Sequence, residues 1–294
     1  MQIQGAVVVG LGGPSPAPEL IWGAREATAL HRPLHLIRAY NASLAVLPWD
    51  TYLDREFAVD LRRAAEDQLR AALQYVNLHW PDLGAEGTVV EGFAAEVLGK
   101  ASRDAHLTVL GSRRLGPVGS AVLGSVSAVV AATAAGPVVL VGSPPADPAQ
   151  PAQVVVGVDG SKSMDDVLDF AFGYADRHQR PLHAIFCWSP DLLASMQWRP
   201  EPPPPERADR WLAEALAGWQ QKYPEVQVHR GVVRASPVAG LVAESTAQEL
   251  LVVGGHSRHA RISALLGSVS QGVLHHATCP VAVVHPRATG WTVM

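Results

Sequence analysis

Two stretches of the chain carry the same loop. GSRRLGPVGSAVLGSVS begins at Gly111 and GGHSRHARISALLGSVS at Gly254; each opens on glycine, closes on GSVS and runs into an apolar segment. Other landmarks repeat in the same order. AVVVGLGG (residues 6–13) matches VVVGVDGS (154–161), with Gly10 against Gly157, and HRPLHLIRAY (31–40) matches QRPLHAIFCW (179–188). GPVVLV (136–141) matches CPVAVV (279–284). The offset is 147 at the first landmark (157 − 10) and 143 at both loop glycines (254 − 111 and 267 − 124). A nearly constant offset over five landmarks means one unit written twice. The proline- and alanine-rich GSPPADPAQPA (142–152) reads as the join. The domains are therefore expected at residues 1–142 and 153–294, with a linker at 143–152. The whole chain, 294 residues of which 48% are hydrophobic, suits two domains with separate cores.

Each copy follows one rhythm. A β-branched run (6–9; 154–158) leads to a helical stretch (18–31; 164–178) and a second strand (34–39; 182–187). A long loop and helix follow (helix 56–78; 206–222), then a third strand (87–91; 226–233) and a short helix (94–102; 239–246). The fourth strand (107–110; 250–253) runs into the glycine loop, a last helix and a final strand (137–141; 281–284). Continuously apolar strands alternating with amphipathic helices predict a parallel sheet covered on both faces. The fold class is thus α/β: two doubly wound, five-stranded parallel sandwiches in tandem, Rossmann-like, with ligands beyond the carboxyl ends of the strands.

The loops point to an anion. A glycine after strand four lets backbone approach a ligand closely. The Gly-Ser that ends the loop opens a helix whose unpaired N–H groups and dipole favour phosphate. Ser125 and Ser268, helped by Ser127 and Ser270, could donate to phosphate oxygens; the alternative is that these serines only cap the helix. Familiar signatures are missing: GSKS (160–163) is no Walker loop, GLGGPS (10–15) lacks the third glycine of a dinucleotide fingerprint, and no GxSxG elbow occurs.

Charge and composition narrow the partners. The net charge of −4 offers no basic field for nucleic acid or an anionic membrane. The start, MQIQGAVVVG, has neither a basic n-region nor an apolar stretch long enough for a signal or a span. The two cysteines, Cys187 and Cys279, lie far apart and read as reduced, buried thiols of a cytoplasmic protein. Twelve histidines form no HExxH-like set, so no metal site is expected. The His275–His276 pair reads as complementing carbonyls at a helix end.

On these motifs the chain resembles the universal stress protein family in its tandem two-domain form. The resemblance implies a Gly-x2-Gly-x9-Gly-Ser/Thr loop and an aspartate at the end of strand one that contacts adenosine. In copy two these are Gly254, His256 and Ser257 in the first part of the loop, then Gly267-Ser268, with Asp159 as the aspartate. It further implies contacts at Cys187, Val253, Val269 and Ser270. Ser257 stands where the second glycine belongs. In copy one the matching positions are Gly111, Arg113, Arg114, Gly124, Ser125, Val126 and Ser127, with Arg114 replacing the second glycine and Gly12 replacing the aspartate. Arg114 could pair with phosphates or fill their space. The implied cofactor is ATP, with Mg²⁺ as an optional companion, held mainly by copy two, where Arg258, His259 and Arg261 could add counter-charge. The implied role is a stress-response regulator and not an enzyme, since no general base, Walker lysine or carboxylate pair is present. The alternative within the family is a scaffold that has lost its nucleotide and works through an unidentified protein partner. The final strands, apolar and at a sheet edge, should pair within the chain as a pseudo-symmetric dimer, with homodimerisation through other surfaces. The eleven-residue join spans up to about 35 Å, enough for that.

Overall fold

The computed structural model describes residues 3–13, 16–42, 53–112, 123–142, 152–161, 164–188, 205–246, 248–255 and 266–285. They form two compact units, residues 3–112 with 123–142, and residues 152–285. The first runs β1 (Val7–Gly10), α1 (Pro18–Ala29), β2 (Leu34–Tyr40), α2 (Leu53–His79), β3 (Ala85–Glu91), α3 (Ala94–Ala101), β4 (Leu107–Gly111), α4 (Ser125–Thr133) and β5 (Val138–Val141). The second repeats it: β6 (Val154–Gly157), α5 (Met164–Arg177), β7 (Leu182–Trp188), α6 (Pro205–Lys222), β8 (Val228–Arg234), α7 (Pro237–Glu244), β9 (Leu250–Gly254), α8 (Ser268–His276) and β10 (Val281–Val284).

The strand orders are β3-β2-β1-β4-β5 and β8-β7-β6-β9-β10, every described pairing within them parallel. This is the doubly wound α/β class expected from the repeat. In each unit the chain first builds outward on one side of strand one and then returns to its other side. The crevice between β1 and β4, or between β6 and β9, is consequently the switch point where such sheets take ligands.

Burial follows the pattern that made these strands legible. Val7, Val8 and Val9 are wholly inaccessible, as are Val154, Val155 and Val156, so helices cover both faces. Alternation along the strand assigns the layers. A Cβ at Gly23 on α1 would lie 2.4 Å from Val9, while one at Gly10 would lie 2.6 Å from Leu110 and 2.9 Å from Leu98 on α3. Helix α1 thus lies against the face that Val9 presents and α3 against the opposite one.

The helix ends differ slightly from expectation, and for one shared reason. Helices α1 and α5 stop at Ala29 and Arg177 because His31 and Gln179 turn left-handed, each with φ of 51°. The next amides, of Arg32 and Arg180, then donate back to the carbonyls of Ala27 and Ala175. Neither residue is the glycine or asparagine that usually marks such an end, so sequence runs the helix on by one or two residues. Strands two and three are likewise displaced by a residue or two: β2 and β7 reach Tyr40 and Trp188, and β8 starts at Val228.

Candidate functional site

The switch-point crevice of the second unit is bordered by the end of β6, the end of β9 and the start of α8. After β6 the chain turns through Asp159 and Gly160, and Gly160 takes a φ of +68° that suits glycine. Asp159 Oδ1 accepts from the Ser161 amide at 2.8 Å, an Asx turn that holds the carboxylate exposed at the strand's end. Val253 is buried in β9 and Gly254 is half-buried. The Gly255 amide donates to Val284 O at 2.8 Å, and the Gly267 amide returns to Gly255 O at 3.0 Å, so the two ends of the loop are tied to each other.

Gly267, not a serine, is the N-cap of α8, and no side chain caps the helix. Ser268 is the first helical residue and exposed, Val269 is half-buried, and Ser270 is buried. Helix geometry leaves the amides of these three without intrahelical acceptors. The reading of these serines as caps therefore fails at the cap position itself. Ser270 is a brace: its hydroxyl donates to Gly254 O at 2.5 Å and pins the helix start to the strand end. In the first unit Gly124 caps α4, again without a side chain, Ser125 is exposed and Val126 half-buried. There the Ser127 hydroxyl donates to Gly111 O at 2.9 Å. With its single proton committed, neither Ser127 nor Ser270 has a donor left for phosphate in this arrangement, and what each presents to an anion is its backbone amide.

Cys187, at the end of β7, is buried, and a Cβ on Gly240 of α7 would lie 2.6 Å from its Sγ. Burial pushes its thiol up to about 11, with the Glu244 charge adding to the effect, so it stays protonated and can contribute only packing and backbone. Cys279 is also buried, and it forms no disulfide. His275 and His276 lie in the last turn of α8, where they suit the dipole. Arg113, Arg114, His256, Ser257, Arg258, His259 and Arg261 lie outside the described residues. Among the described residues no three His, Cys, Asp or Glu side chains are grouped to hold a metal ion.

The two loop starts differ by an exchange of bulk that the motif does not reveal. A Cβ at Gly255 would lie 2.4 Å from His285 Cε1 and Nδ1. The equivalent positions in the first unit are Ser112, whose amide donates to Val141 O at 2.8 Å, and Gly142. One unit thus has Gly-with-His and the other Ser-with-Gly. Gly255→Ala should destabilise the second unit by about 1–3 kcal/mol through overpacking. Adding His285→Gly should recover much of that loss, and a double-mutant cycle in denaturant would check the coupling. Additive effects would mean the ring simply moves aside.

Comparison with known proteins agrees with this architecture. The family model of the universal stress protein family matches twice, over residues 5–142 and 152–285. A universal stress protein of Mycobacterium tuberculosis (strain H37Rv) is 33% identical over 294 residues, covering 95% of this chain and 97% of that protein. One from Mycolicibacterium smegmatis is 34% identical over 275 residues, covering 90% and 92%. The crystal structure of a universal stress protein from Archaeoglobus fulgidus superposes with a TM-score of 0.72 at 19% identity, covering 98% of this chain and all of that one. The fold and the paired loops define a tandem, doubly wound α/β protein. This chain belongs to the universal stress protein family.

Proposed function

We propose that the protein is an ATP-binding regulator in the stress response, acting in the cytoplasm, with its working nucleotide site in the second domain. One observation carries this reading. The exposed carboxylate of Asp159 follows the end of β6, and the α8 amides, uncapped by any side chain, are pinned through Ser270 to the end of the neighbouring β9, at the switch point. The carboxylate can accept from the nucleoside, and the amides with the helix dipole favour phosphate. These residues fit ATP, and Mg²⁺ would accompany the phosphates. The role is binding and not turnover. The two buried thiols, neither in a disulfide, suit a reducing compartment.

Titrating the whole protein with ATP in a calorimeter tests the reading, and one equivalent per chain is expected. Absence of any nucleotide binding would favour the scaffold alternative, in which the family fold works through a protein partner. The adenine nucleotide is the expected small-molecule partner. We also propose that β5 and β10 pair as an intrachain pseudo-dimer, because each is a short apolar strand at the end of its unit's strand order. Domain halves expressed alone should then self-associate. Two monomeric halves with no affinity for each other would remove that part.

A further inference from the structure

The first domain carries a carboxylate where the second carries a methyl group. Glu19, in the first turn of α1, is only 6% exposed. A Cβ placed on Gly111 would lie 2.9 Å from Glu19 Cδ and 2.9 Å from each carboxylate oxygen. The backbone amides of Glu19 itself and of Gly12 lie near enough to the carboxylate to lower its pKa. It therefore sits between the ends of β1 and β4, at the switch point, bridging the two loops that border the crevice. In the second domain the same glycine, Gly254, faces Val167 on α5, whose Cγ2 would lie 3.5 Å from an added Cβ. Val167 is 2% exposed. The correspondence holds on both sides of the contact, since Glu19 precedes Leu20 as Val167 precedes Leu168, and both leucines are buried.

We propose that Glu19 is the specificity-determining residue that bars polyphosphate nucleotides from the first-domain crevice, leaving one ATP site per chain. The site assignment rests on the nucleotide reading above. A phosphate chain entering beside Gly111 would meet a negative group in a low-dielectric setting, where like charges repel far more strongly than in water. The amide of Gly12, which could have faced a ligand, lies beside the Glu19 carboxylate instead. Burial pushes the carboxyl above its ordinary value and the two amides only partly offset that, so the charge the bar depends on is the property that Glu19→Gln isolates. The neighbouring position, Gly12, has no side chain of its own to bind a nucleoside.

The test is ATP titration of the full-length protein and three variants, with thermal melts to check folding. The parent should bind one equivalent. Glu19→Val, which copies Val167, should bind two, and so should the nearly isosteric Glu19→Gln, because charge and not size is the bar. Val167→Glu should lose the second-domain equivalent. If both Glu19 variants bind the same number as the parent, whatever that number is, the assignment is overturned. A gain with Val but none with Gln overturns the attribution to charge, and two equivalents in the parent overturn the bar itself. A parent that binds none and a Glu19→Val that binds one would sink the second-domain reading while supporting the role of Glu19.

Discussion

Phe172→Ala is expected to lower the stability of the second domain by about 3–5 kcal/mol, the range for removing a fully buried aromatic ring. Phe172 is wholly inaccessible on α5. Its ring stacks on Trp219 and Tyr223, at centroid distances of 6.1 and 5.8 Å, and so joins α5 to α6. Polar contacts of the same face surround it: Lys222 Nζ and the Tyr223 hydroxyl both donate to Asp169 Oδ1, at 2.6 and 3.2 Å. Those contacts are more exposed and contribute less, so the ring is the larger loss. Since each unit has its own core, the expected calorimetric trace is split, with one transition moved down and the other little changed. Phe93→Ala is the control, because Phe93 is 58% exposed and a substitution there should cost under about 0.5 kcal/mol. A single transition moving as a whole would show that the domains melt as one unit.

Asp159→Ala should weaken ATP binding by about 10- to 100-fold, the loss of a charged hydrogen-bond acceptor. The carboxylate is exposed and its bond with the Ser161 amide shapes only a local turn. The melting temperature should consequently change little, which separates a binding role from a structural one. Equal affinity in variant and parent would remove Asp159 from the site. The reciprocal change, Gly12→Asp, meets no described residue within 4 Å of the added Cβ. Alone it should not create a first-domain site, because Glu19 would still stand beside Gly111.

The fold was largely legible because the chain prints it twice. Apolar runs such as residues 154–158 and 250–253 could only be buried strands once their alternation with helices recurred at a fixed spacing. Helix ends were less legible, since His31 and Gln179 adopt a conformation their side chains do not advertise. Half of the site was legible in the loop glycines and Asp159. The fourth-strand glycine does not have the same neighbour in the two copies. A Cβ at Gly111 would press on Glu19 of α1 at 2.9 Å, whereas one at Gly254 would meet Val167 of α5 at an ordinary 3.5 Å, so helix packing asks for glycine in the first copy and not in the second. Glu19 itself escaped notice because its meaning depends on a contact across the sheet. Its signal was present, though. An acid stands in line with Leu20, Gly23, Ala24 and Ala27, all buried, where the second copy has Val167.

The exchange of bulk at residues 255 and 285 limits how the halves can be treated as spare parts. A loop cut from the first domain and grafted into the second would bring a serine against His285, and the reverse graft would leave a glycine facing a glycine across an empty space. Shuffled or circularly rearranged forms of this chain would have to move the loop together with the residue that follows the last strand. The exchangeable unit is therefore larger than the motif: it is the loop together with the end of the domain.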